Sequence, residues 1–167
     1  MKVGQKLYSV FIDVEEDDDN NIIKTSCRIT KYYVSSIQNR KIWRRSGERE
    51  KYIYIRYEDG ELYRKKKAED FDIKKDDYLS TTEAGAVRKA LKSIPGEIKR
   101  FKSYRSDDPD YYDAYIDTYN GTIKRTLNRM IKSSEKREDK RKLLDAENKR
   151  REKQLKKRIK ELQESGA

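Results

Sequence analysis

A chain of 167 residues, 34% of them apolar and 44% charged, holds material for one small core and an extension, not for two large domains. Its formal charge is +11, it has no histidine, and Cys27 is its single cysteine, which excludes an internal disulfide framework and any zinc site built on histidines or a cysteine cluster. The opening MKVGQKLYSVFID is too short and polar for a signal peptide, and no run approaches the roughly 18 apolar residues of a membrane span. These features predict an intracellular, cytoplasmic protein with no membrane partner.

The first element in chain order is LYSVFIDV, residues 7–14, where Tyr8, Val10, Ile12 and Val14 alternate with Ser9 and Asp13 as in a half-buried strand. A polar turn, EEDDDNN, leads to a second alternating run in which Ile23, Thr25, Cys27, Ile29 and Tyr33 share a face. QNRKIWRRSGERE reads as a basic strand end and loop around Trp43. KYIYIRYEDGELYRKKK then carries the Asp59-Gly60 pair that supplies positive φ for a tight hairpin. Four or five antiparallel strands over residues 3–79 predict a small curled sheet or open barrel in an α+β fold.

From Ser80 the period changes. Ser80, three residues before Glu83, has capping-box spacing, and Ala84, Val87, Ala90, Leu91 and Ile94 form a helical stripe that covers the open side of the sheet. Pro95-Gly96 is expected to end this helix. Asp108 followed by Pro109 marks the start of another, with Tyr112, Tyr115, Tyr119, Ile123, Leu127, Met130 and Ile131 at three and four spacing and a weak point at Asn120-Gly121. Domain organisation on this reading is a β-rich domain with its capping helix over residues 1–106, then a tyrosine-rich amphipathic helix running into a basic helical tail over 107–167.

Charge is unevenly placed. Residues 122–164 carry 17 Lys/Arg against 8 Asp/Glu, a net of +9 that leaves +2 for residues 1–121. The tail favours helix by composition and by ordered pairs such as Glu147 with Arg151. A heptad with Leu155 and Leu162 at a positions puts Asn148 and Arg141 at the earlier ones and Arg151 and Arg158 at d, a poor coiled-coil seam.

Few residues are spaced for chemistry. Asp17, Asp19 and Asn21 alternate as in a calcium loop, but Ile22 stands where glycine is needed and Arg28 where a bidentate carboxylate is needed. Cys27 lies mid-strand on an apolar face and reads as core. SDDPD is explained by helix capping, and the seven glycines form no phosphate-binding loop. No catalytic residue, metal, cofactor or small-molecule substrate is therefore expected.

Basic and aromatic residues remain: Arg40, Lys41, Trp43, Arg44 and Arg45 in one cluster, YRKKK after the hairpin, and Lys149, Arg150, Arg151, Lys153, Lys156, Lys157, Arg158 and Lys160 on the tail. Cations that neutralise phosphates beside aromatic faces suit RNA or DNA, so a non-enzymatic nucleic-acid-binding protein is the leading expectation. The alternative is a structural or adapter protein in a large assembly such as a viral particle, or a viral inhibitor of a host protein. It would dock through its long helix by Leu144, Leu155, Ile159 and Leu162, with Tyr111, Tyr112, Tyr115 and Tyr119 as a first anchor. Heavy use of Lys, Ile, Asn and Tyr fits an AT-rich genome, as of a bacterium or its virus.

Overall fold

The computed structural model describes residues 1–41 and 49–165, so the expected roles of Trp43, Arg44 and Arg45 lie outside the described residues. Four antiparallel strands, β1 (Lys6–Glu16), β2 (Ile22–Lys41), β3 (Arg49–Tyr57) and β4 (Leu62–Lys67), follow one another in an open sheet of order β1-β2-β3-β4. The β1–β2 turn is held by Asp17, whose carboxylate accepts hydrogen bonds from the backbone N–H groups of Asp19 (3.0 Å) and Asn21 (2.8 Å). That is the local bonding of a tight polar turn. The β3–β4 turn follows the Asp59-Gly60 signal, with Gly60 at φ +94°.

β2 is 20 residues long and serves two neighbours in succession. Residues 22–33 pair with β1 and residues 32–41 pair with β3, so only Tyr32 and Tyr33 lie between both. A bulge between Val34 and Ser36 inserts one residue and bends the strand there. The extra residue matters for packing, because it returns Ile37, three positions after Val34, to Val34's face opposite Ile53.

The sheet buries opposite faces at its two ends. Leu7, Tyr32, Val34, Ile53, Ile55 and Leu79 form one core, closed by the segment after β4 through Ala68, Phe71 and Ile73. Val10, Ile12, Val14, Cys27 and Ile29 project from the other face of β1–β2 and pack under helices, against Val87, Ile94, Ile123 and Leu127. Cys27 is thus a core residue, and burial pushes its thiol pKa up. Each fully buried Leu or Ile contributes about 1.5–3 kcal/mol, so the two clusters together hold the fold.

α1 spans Glu83–Tyr104. Its N-cap is Thr82, whose hydroxyl accepts the Gly85 N–H at 3.0 Å, and not Ser80. Ser80 is instead paired with Tyr8 by two backbone hydrogen bonds of 2.8 Å, because a strand partner satisfies both of its backbone groups at once. Pro95 does not end the helix. An interior proline costs about 3 kcal/mol, but continuing to Tyr104 buries Phe101 and packs Ile98 on the second core, which offsets that cost. Lys89 ties α1 to the loop before it, its ammonium donating to the carbonyls of Ile73 (2.8 Å), Leu79 (2.6 Å) and Asp76.

α2 (Pro109–Thr118) begins with Asp108 accepting the Tyr111 N–H at 3.1 Å. At Asn120-Gly121 the helix is widened, not divided: a π-turn over Tyr119–Ile123 leads directly into α3 (Lys124–Ser165). Tyr119 and Ile123, the two ends of that turn, both reach the second core. The first compact unit ends at Ile131, and the second begins at Lys132. Among the described residues no helix is long and apolar enough to cross a membrane.

Candidate nucleic-acid interface

Two basic surfaces emerge, one in each unit. On the sheet, the face opposite the first core carries Gln38 and Arg40 from β2, Glu50, Tyr52 and Tyr54 from β3, and Lys65 and Lys67 from β4. Register brings them together: Tyr52 stands between Gln38 and Lys67, and Tyr54 between Ser36 and Lys65. The Lys65 ammonium lies 4.4 Å from the centre of the Tyr52 ring, and the Arg40 guanidinium 5.3 Å from that of Tyr54. Both distances suit cation–π contacts, which hold the cations flat across the sheet.

Glu50 accepts a 2.6 Å hydrogen bond from the Tyr52 hydroxyl and forms an ion pair with Lys67. Lys67 first, then Tyr52, hold the Glu50 carboxyl below its usual range. Glu50 therefore neutralises Lys67, leaving Arg40 and Lys65 as the patch's uncompensated charges among the described residues. Tyr54 is only 8% exposed, so its ring is not open for a base to stack on. Its hydroxyl is buried and has no hydrogen-bond partner among the described residues. The sheet surface is suited to phosphate contact more than to base stacking.

Lys41 follows Arg40 by one residue and so points to the opposite face. The two are both exposed, but the strand separates them. In place of Lys41, the fold gives Arg40 the companions Lys65 and Lys67 from a strand 25 residues further on, together with Tyr52 and Tyr54. The Asp59-Gly60 turn is the local signal for the β3–β4 hairpin, but which residues stand beside Arg40 is set by the register across the Val34–Ser36 bulge.

In the second unit every described side chain from residue 139 to 164 is exposed. At 100° per residue, Lys149, Arg150, Lys153, Lys156, Lys157 and Lys160 share an arc of about 120° that rises about 17 Å along the axis. Lys149, Arg150, Lys153, Lys156 and Arg158 have no ion-pair partner among the described residues, whereas Arg151 reaches Glu147 at 2.6 Å and Lys157 and Lys160 lie 3.6 Å from Glu161 and Glu164. Such exposed pairs are worth at most about 1 kcal/mol and open readily to a phosphate.

Leu144, Leu155 and Ile159, 55%, 61% and 54% exposed, fall on a separate strip about 60° wide, on the other side of the helix from the basic arc. Leu162 belongs to the same strip by spacing, though its side chain lies outside the described residues. Arg151 and Arg158 border this strip, not the basic arc. The nucleic-acid and protein-docking readings of the tail thus use different sides of one helix.

The tyrosines predicted as an anchor are half-buried inside the first unit. Tyr115 and Tyr119 pack on Phe101 with ring centres 5.0 and 5.2 Å away, Tyr112 lies at 6.5 Å, and Tyr111 stands 5.1 Å from Tyr115. Tyr115 donates to Glu16 at 2.5 Å, fastening α2 to the end of β1. Burial, with Glu16 as acceptor, pushes the Tyr115 hydroxyl far above its ordinary pKa. Much of each ring is engaged in holding the unit together.

No family model, curated relative or solved structure matches this chain, so its functional reading rests on the residues described above.

Proposed function

We propose that the protein is a non-enzymatic nucleic-acid-binding protein that contacts RNA or DNA through the basic arc of α3, with Arg40 and Lys65 on the sheet as a second phosphate-binding surface. The observation that carries this reading is the arc itself: six cations within about 17 Å of helix, fully in solvent, with most of them unpaired. Six ammonium or guanidinium groups at that density match a phosphate backbone and displace its condensed counterions. Five of the six arc cations are lysines, point charges that suit phosphate more than base edges, and the Tyr54 ring is closed to stacking, so binding should depend little on sequence.

Fluorescence anisotropy with a labelled 20-nucleotide single strand and a 20-base-pair duplex tests it. With six phosphate contacts on a duplex, raising salt from 50 to 200 mM should weaken binding by about a thousandfold. An affinity that stays constant across that range removes the proposal.

A further inference from the structure

β1 is an edge strand whose outer side is engaged at one point among the described residues, where Tyr8 exchanges both backbone hydrogen bonds with Ser80. In an antiparallel ladder, residues alternate between bonding one neighbour and bonding the other. With Tyr8 turned outward, Val10 and Ile12 are turned outward as well, and their outward N–H and C=O groups meet no partner among the described residues. Leu79 and Ser80 therefore occupy a single step of a fifth lane beside β1, and the chain leaves that lane for the α1 cap at Thr82.

A cleft of about 470 Å³ runs where this lane continues, and residues 9–12 of β1 all line it. Successive strand side chains point to opposite faces, so a cavity that meets four in a row lies along the strand's edge. α1 forms one wall with Ala86, Ala90 and Ser93, small residues at helical spacing whose short side chains leave the space beside β1 unfilled. Tyr63 and Tyr78 stand on the other side, and Glu97 and Arg100, paired at 2.7 Å, lie at the end near Tyr119.

We propose that this cleft receives an extended segment of a partner protein, which adds to β1 as a fifth antiparallel strand. The recognising groups are the outward backbone donors and acceptors of Val10 and Ile12, whose alternation only another polypeptide backbone matches. The existing Tyr8–Ser80 pair sets the lane's position and direction. About four residues fit beside Ser9–Ile12 at a rise of about 3.3 Å each. Side chains facing Ala86, Ala90 and Ser93 must be small and apolar; those facing Tyr63 and Tyr78 are branched or aromatic. Among the described lining residues Arg100 is the one cation and stands against two carboxylates, Glu97 and Asp77, so the cleft has no positive excess to draw a phosphate, and its lining shares no residue with the nucleic-acid surfaces.

The test is selection of a phage-displayed random octapeptide library on the full chain, followed by calorimetric titration of the most enriched synthetic peptide. Ser93→Arg fills the cleft from the half-exposed side of α1, and Val10→Pro deletes an outward N–H while leaving the β2 ladder intact; melting curves establish that each variant is folded. The expected result is an alternating apolar consensus whose affinity falls at least about tenfold with Ser93→Arg, and equally when alternate peptide amides are N-methylated, with slowed amide exchange at Val10 and Ile12 in the complex. No enrichment, or a peptide indifferent to Ser93→Arg, overturns the proposal. So does displacement of the peptide by oligothymidylate, which would place nucleic acid in the cleft, or a wild-type dimer that Ser93→Arg dissociates, which would place a second copy there.

Discussion

Residues 1–131 and residues from Lys132 onward use the same alphabet in opposite ways. The first unit carries 28 Lys/Arg against 23 Asp/Glu and buries its branched and aromatic residues on both faces of one sheet. The second carries 14 against 8 in 36 residues and leaves Leu143, Leu144, Leu155 and Ile159 more than half exposed. One region is held by tertiary contacts; the other, from residue 139 onward, is an exposed helix supported by propensity and i,i+4 pairs. Stability and polyanion binding are therefore separable, and mutations that damage one should spare the other.

The sharpest way to break this contrast is to truncate an equivalent apolar side chain in each unit. Ile55→Ala, at a fully buried position, should cost about 3–4 kcal/mol in urea unfolding, whereas Leu155→Ala should change it by less than about 0.5 kcal/mol. A comparable loss from both would mean the tail is packed in solution. Next in size, glutamine at Lys149, Arg150, Lys153, Lys156, Lys157 and Lys160 together should lower nucleic-acid affinity by about a hundredfold or more at 100 mM salt. The unfolding midpoint should be unchanged; a fall in that midpoint would tie the basic arc to the fold.

Lys89→Met examines the first unit's own internal cation. Its ammonium is shared by three loop carbonyls, so removing it should cost about 2 kcal/mol and leave nucleic-acid affinity within twofold, read by denaturation and anisotropy on the same preparation. The smallest effect is expected at Tyr54. Its hydroxyl is buried without a partner, so Tyr54→Phe should be neutral or stabilising by up to about 1 kcal/mol. A marked loss of stability, or of nucleic-acid affinity, would show that this hydroxyl has a role the free protein does not display.

What could be read from the residues was what depends on near neighbours in the chain. The period-two runs of β1 and β2, the Asp59-Gly60 turn, the Asp108 cap before Pro109 and the helical, basic character of the tail each follow from bonding or steric preference within a few positions. Asp17 likewise uses its carboxylate on its own turn, within the segment read as a polar turn. Where the local preference was strong but a distant partner was better, the local reading failed: Ser80 gave up a cap for a strand bond to Tyr8, and Pro95 was carried inside α1 by the packing of Ile98 and Phe101 beyond it.

The functional surfaces divide on the same line. Exposure and composition of the α3 arc were legible, because a helix with no core partner keeps the geometry its sequence spacing implies. The Arg40–Tyr52–Tyr54–Lys65 surface was not, since it needs the register of three strands, and that register hangs on a bulge between Val34 and Ser36 that no short pattern announces. Nor was the open lane beside β1. Which edge of a sheet stays unpaired depends on where the whole chain packs, and here α1 leaves the lane after one bridge because its apolar face is drawn over Val10, Ile12 and Val14. Local periodicity sets which faces are apolar; long-range burial chooses which of them meet, and so which backbone and which charges remain for a partner.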